Sequence, residues 1–267
     1  MGFLQLAVRY LIAHFKSQIE YRFTFVMGMF SNIIIYSTTY LGIWIILNRF
    51  QVIQGWTFYE VMLLFNLNLL AFGLSSFFLM RPMRMLETMI QEGSFDLILV
   101  KPLNPFLHMP IRRYTHAYLG HIMLASIMLS ISFSNLDIHW TLIKVVFLWL
   151  DLIGAALIIS AIYVATGVLS FWIVKAGFIM DTFIYSMRDA VNYPISIYGK
   201  AITILLTFGI PYAFISFYPA QYLLDGKGET LFHPVLQYGT PVVGIVMFLL
   251  AYKFWTIGAN RYESTGP

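Results

Sequence analysis

Six stretches of this chain, near residues 24–48, 57–79, 113–134, 141–168, 199–217 and 238–257, are long and apolar enough to cross a bilayer as helices. A span needs about 20 mostly apolar residues, since backbone N–H and C=O groups in hydrocarbon must satisfy one another within the helix. The fourth stretch runs on to about residue 173 and must tilt or project past the interface. Composition agrees: of 267 residues 60% are hydrophobic and only 10% charged, with a mean hydropathy of +0.78. A soluble domain is roughly half apolar and about a quarter charged, so no soluble core of this length would hide the surplus. The expectation is an all-α integral membrane protein, one domain over residues 1–267, with no internal repeat.

Near the start, Leu4, Val8, Leu11, Ile12 and Phe15 recur at helical spacing with Arg9, Lys16 and Arg22 elsewhere, which predicts an amphipathic helix over 1–22 lying on the membrane surface. Arg9 and Lys16 interrupt any signal-peptide apolar region, so no cleaved leader is expected. With the N-terminus inside, the cytoplasmic segments hold Arg9, Lys16, Arg22, Arg81, Arg84, Lys101, Arg112, Arg113, Lys175, Arg188, Lys200, Lys253 and Arg261. Only Arg49, Lys144 and Lys227 fall outside. Thirteen against three is a strong positive-inside bias, and it places both termini in the cytosol. The absence of cysteine excludes disulfide frameworks and thiolate metal sites.

The longest cytoplasmic connection, 81–111, contains the polar knot "EGSFDLILVKPLNP" at 92–105. Pro82 suits the first turn of a short helix, on which Met85, Leu86, Met89 and Ile90 form an apolar stripe. Gly93 is placed to end that helix in a left-handed cap. Lys101-Pro102 and Asn104-Pro105 then favour turns or extended chain. A connection between helices needs about 2–8 residues. The knot either caps the bundle or is gripped by something in the cytosol; its length and mixed charge favour the second.

No phosphate loop occurs: in "DGKGET" (225–230) Gly228 stands where Ser or Thr is required, so nucleotide chemistry must come from another chain. His14, His108, His116, His121, His139 and His233 have no metal-ligand spacing and read as interfacial or packed. No nucleophile elbow or paired-carboxylate site is present, so no catalytic residues and no metal are assigned. Glu60 reads as interfacial at the outer end of the second span. Asp151 in "FLWLDLIGAAL" is an acid inside a span. It either hydrogen-bonds a Tyr, Trp or Asn on a neighbouring helix or serves substrate passage, with Lys144 seven residues outward on roughly the same face. Ala156 with Ser160, and Ala161 with Ala165, permit close helix packing, within the subunit or across a dimer. Pro211 and Pro219 bracket the aromatic cluster of "GIPYAFISFYPA" (209–220), which is either a re-entrant segment or an aromatic belt.

"ETMIQEGSFDLILVKPLNPFLH" resembles the cytoplasmic signature of ABC-2 type permeases, in the bacterial subfamily where G-x-x-D-x-x-L-x-[KR]-P-L recurs. "YPISIYGKAITILLTFGIPYAFISFYPAQYLL" (193–224) resembles the same subfamily's penultimate span and outer loop. The resemblance implies a six-helix, type V exporter-like permease with an N-terminal interfacial helix, in the bacterial inner membrane. It implies two cytosolic ATPase subunits, which bind the ATP and Mg2+, and a second permease copy or homologue; membrane lipids surround it and nucleic acid is not a partner. Carried over by position, Glu92, Gly93, Asp96, Leu99, Lys101, Pro102 and Leu103 fall in the region coupled to the ATPase. Asp151, Pro211, Tyr212, Phe214, Phe217 and Pro219 are candidates for the translocation path. The expected function is export of a hydrophobic or amphipathic drug, lipid or peptide. A gradient-driven secondary transporter and a non-transporting scaffold or immunity protein are the alternatives.

Overall fold

A computed structural model describes residues 22–112, 114–228 and 231–264. The expected surface helix over 1–22 lies outside the described residues. The described ones are helical throughout, with no strand beyond an isolated Ile53–Trp56 bridge. Helix α1 (Arg22–Phe50) leads through a left-handed turn at Gln51, Gln54 and Gly55 into α2 (Phe58–Gln91). Glu60 accepts the Thr57 N–H at 2.8 Å, half of a capping box that fixes the start of α2. Glu60 is buried and ion-paired to Lys227 at 2.5 Å.

α2 is longer than the second expected span because Pro82 does not begin a new helix but sits inside a continuous one. Proline removes a backbone donor and crowds the carbonyl four residues back. Five residues before it, the Phe77 carbonyl accepts the Thr115 N–H at 3.0 Å, which ties this part of α2 to the segment leading into α5. Gly93 then ends α2 at φ +69°, the left-handed conformation expected of it, with the Phe95 N–H closing onto the Met89 carbonyl at 3.1 Å.

Short helices α3 (Asp96–Leu99) and α4 (Pro105–Arg112) follow, then α5 (Tyr118–Ser134) and α6 (Leu142–Val168). Asn104-Pro105 starts a helix here, contrary to expectation. The Asn104 side-chain oxygen accepts from the Phe106 N–H at 2.9 Å, and proline occupies the first helical position, where no donor is needed. α5 and α6 pack on α2, and the last helix, α10 (Thr240–Asn260), packs along α6. Gly154 on α6 and Gly244 on α10 set that last contact: a Cβ on Gly244 would stand 2.3 Å from the Gly154 carbonyl oxygen. Ser160 pairs with Ser75 at 2.9 Å and Ala161 is buried, so these small residues pack within the subunit.

Four helices, α1, α2, α6 extended to Phe171, and α10, are long and apolar enough to cross a membrane; α5 is apolar but shorter. The fifth expected span, 199–217, is not one helix. It breaks into α8 (Lys200–Ile204), a π-helical turn Leu205–Gly209, a 3-10 turn Tyr212–Phe214 and α9 (Phe217–Leu223), with the two arms bent 76° apart. The arms fold back on each other, Thr207 meeting Tyr218 at 3.3 Å between hydroxyls. Pro211 stands at the bend, where a helix entering residues 210–211 cannot keep its ladder.

Another irregular stretch also runs the length of the bundle. Residues 176–192, including α7 (Gly177–Asp181), climb antiparallel along α2. Ala176 and Gly177 bond Glu87, Asp181 pairs with Arg84, Arg188 lies over Phe72, and Asn192 meets Asn68. Arg188 is therefore inside the bundle and not in a cytoplasmic loop. Lys200 shares a cavity with Phe217, which packs on Trp56 at the start of α2, so it belongs to the opposite end from Arg84.

Candidate coupling and translocation sites

All seven candidate coupling residues sit at the end of the bundle beyond Pro82. Glu92, Leu99 and Pro102 are exposed; Gly93, Asp96, Lys101 and Leu103 are half-buried. The knot has two faces. Phe95 is fully buried against the rings of Phe171, Trp255 and Tyr262 at centroid distances of 5.4, 6.2 and 5.0 Å, with Ile98 buried beside it. Phe106 adds contacts to Tyr252 and Trp255, and Asp96 accepts from the Ser264 hydroxyl. Leu97 and Val100, two residues after Phe95 and Ile98, point the other way and are 68% and 83% exposed. Sequence reasoning missed them. The available signal was the spacing: Phe95 and Ile98, then Leu97 and Val100, are two i, i+3 pairs turned to different sides.

The same end of α2 grips the climbing segment. Glu87 accepts both the Ala176 N–H (2.9 Å) and the Gly177 N–H (2.7 Å), Arg84 pairs with Asp181, and Gln91 donates to the Val174 carbonyl. Higher up, the climbing segment holds the hairpin. The Tyr212 hydroxyl donates to the Phe183 carbonyl, Ser216 to the Val191 carbonyl at 2.9 Å, and Thr240 to the Phe214 carbonyl at 2.9 Å. Irregular backbone at membrane depth is tolerated where protein covers it, and these side chains supply bonds the broken helices have lost. Tyr212, Phe214, Phe217 and Pro219 are all buried. A belt at the lipid interface would leave such rings exposed, so the geometry is that of a bent helical pair, a broken span or a re-entrant hairpin, packed into the bundle.

Asp151 is 1% exposed, and neither carboxylate oxygen has a hydrogen-bond partner among the described residues. The expected bond to a Tyr, Trp or Asn is not made. Lys144 does not answer it either, since its ammonium bonds Asp225 at 2.7 Å and the Leu223 carbonyl at 3.0 Å. His121 is packed among Tyr36, Tyr118 and Phe72, as expected of a core histidine. Among the described residues no three of His, Cys, Asp and Glu converge as metal ligands would.

No curated protein and no solved structure matches this chain. A family model described as ABC-2 family transporter protein matches residues 33–266, from within α1 to beyond α10, and so takes in both the knot and the hairpin. The chain is thus a multi-pass membrane component of an ABC transporter, a member of the ABC-2 family.

Proposed function

We propose that this chain is the permease subunit of an ABC exporter for a hydrophobic or amphipathic substrate such as a drug, a lipid or a peptide. ATP and Mg2+ are held by two separate ATPase subunits, and two permeases, identical or homologous, form the path. The protein lies in a bacterial inner membrane, crossed six times, with both termini and the knot in the cytosol.

The observation that carries this reading is the two-faced knot. Its aromatic face is anchored to α10, while Leu97 and Val100 stand free for a partner and the seven coupling positions surround them. Docking of the ATPase moves the knot together with the end of α2. Glu87, Arg84 and Gln91 pass that movement to the climbing segment, and Tyr212 and Ser216 pass it to the hairpin. Pro211, Tyr212, Phe214, Phe217 and Pro219 close the outer end of the path, and Asp151 marks a polar point on it.

The test is co-expression with the cognate ATPase. The two should co-purify, and the pair Asp96→Lys with Gly93→Pro should leave ATP hydrolysis running while export stops. A permease that purifies alone and stimulates no ATPase, or a double variant that exports normally, refutes the proposal.

A further inference from the structure

Midway along α2 the climbing segment, α1 and the start of α5 line a half-open cavity of about 540 Å3. This is within the roughly 300–1,000 Å3 range of small-molecule sites. Its walls combine the rings of Tyr36, Phe65, Phe72, Tyr118 and Tyr185 with polar side chains, the Asp189 carboxylate among them. Arg188 also lines it and is only 5% exposed.

The guanidinium carbon lies 3.9 Å from the Phe72 ring centroid, a cation–π contact. One terminal nitrogen donates to the neighbouring Asp189 carboxylate at 3.1 Å, and that carboxylate is 58% exposed. The Tyr36 hydroxyl lies within hydrogen-bonding reach of the group. Even so, Nε and the other terminal nitrogen have no hydrogen-bond partner among the described residues. A buried guanidinium left with unmet donors is costly, and inside a membrane such a residue marks a ligand path by default. Filling the cavity would need only another apolar side chain. The planar fork of arginine, in contrast, matches two oxygens of a carboxylate or phosphate at once.

We propose that this cavity binds the acidic group of an amphipathic ligand, a carboxylate or phosphate seated on the unmet edge of Arg188 with its apolar body against the aromatic walls. The inference rests on the exporter reading and narrows its substrate class to anionic amphiphiles.

The experiment uses the permease alone in phosphatidylcholine nanodiscs, with 11-(dansylamino)undecanoic acid and its neutral carboxamide as fluorescent probes. The acid should bind the wild type at least about tenfold more tightly than the amide, the scale of one charge-assisted bidentate contact. Arg188→Gln should abolish that preference, and Thr39→Trp, which narrows the cavity without touching the cation, should weaken both probes. Equal binding of acid and amide by the wild type overturns the proposal. So does a preference that survives Arg188→Gln, or binding indifferent to Thr39→Trp. If Arg188→Gln does not fold, the wild-type preference and the Thr39→Trp result decide. Adding phosphatidylglycerol to the discs separates two sources of the same chemistry. Competition identifies a lipid headgroup as the occupant and its absence identifies a separate amphiphile, and either result keeps the anion site. Because no ATPase is present, failure here leaves the exporter reading to its own co-purification test.

Discussion

The two faces of the knot can be separated by a pair of variants. Phe95 is fully buried between Phe171, Trp255 and Tyr262, so Phe95→Ala removes a whole ring from the junction between the knot and α10. Replacing a buried Phe by Ala costs about 3–5 kcal/mol, part lost burial and part the cavity left behind. The upper half of that range applies here, because the ring is enclosed by three others on different segments and the space cannot easily collapse. Leu97→Asp with Val100→Asp alters side chains that are 68% and 83% exposed, where substitutions fall within about 0.5 kcal/mol of neutral.

Thermal unfolding of the purified permease, followed by Trp255 burial and by solubility, should therefore drop sharply for Phe95→Ala and stay unchanged for the aspartate pair. Co-purification of the ATPase should show the reverse ordering of cause. The aspartate pair loses the partner while fully folded, and Phe95→Ala loses it only as folding fails. If the aspartate pair unfolds as early as Phe95→Ala, Leu97 and Val100 are core and the outward face does not exist. If it binds the ATPase normally, the docking argument fails.

Further outcomes follow from the packing. Gly244→Leu should separate α6 from α10, since even a Cβ would stand 2.3 Å from the Gly154 carbonyl; overpacking costs about 1–3 kcal/mol or more. Gly42→Ala, with nothing within 4 Å, should leave the monodisperse peak in size-exclusion chromatography intact while Gly244→Leu loses it. Glu87→Gln should weaken two N–H bonds at the start of α7 by roughly 1–3 kcal/mol, read as faster hydrogen exchange over 174–181. Arg84→Ala should do much less there, because its ion pair with Asp181 is nearly half exposed and such pairs contribute about 0–1 kcal/mol. Asp151→Asn should raise the melting temperature by removing an unpartnered buried acid and yet slow export; a variant that exports at the wild-type rate makes the residue structural.

The long helices were legible because a bilayer imposes one rule on them, about 20 apolar residues in sequence. The Gly93 stop was legible because glycine alone takes φ +69° without strain. Pro82 and Asn104-Pro105 were misjudged for a shared reason: proline's effect depends on whether its missing donor was needed. At Pro105 it was not, since Asn104 caps the turn, and at Pro82 the helix runs on through the proline, buried within it. Leu97 and Val100 escaped notice because composition does not distinguish an apolar residue that packs from one that waits for a partner.

The largest misreading has the most to teach about function. Residues 176–192 carry Asp181, Arg188 and Asp189, and a hydropathy argument assigns such a stretch to the cytosol. Their partners on α2 place them along the bundle instead: Arg84 for Asp181, the Phe72 ring for Arg188, and Asn68 for the following Asn192. Hydropathy assumes that each residue of a passage meets lipid, whereas this stretch meets α2 on one side and a 540 Å3 cavity on another. A charge can lie at that depth only where protein or a ligand path covers it. The apolar 199–217 stretch shows the converse, since it is greasy enough to span yet is broken by Pro211 and held by Phe183, Val191 and Thr240 as a hairpin. In both places the sequence departs from the pattern of an ordinary span where the backbone is irregular and the polar groups are covered by neighbours. Those two departures adjoin each other through Tyr212 and Ser216, so the segment that carries the buried cation is the one that holds the hairpin. A ligand that seats on Arg188 therefore acts on the same element that the knot end grips through Glu87 and Arg84.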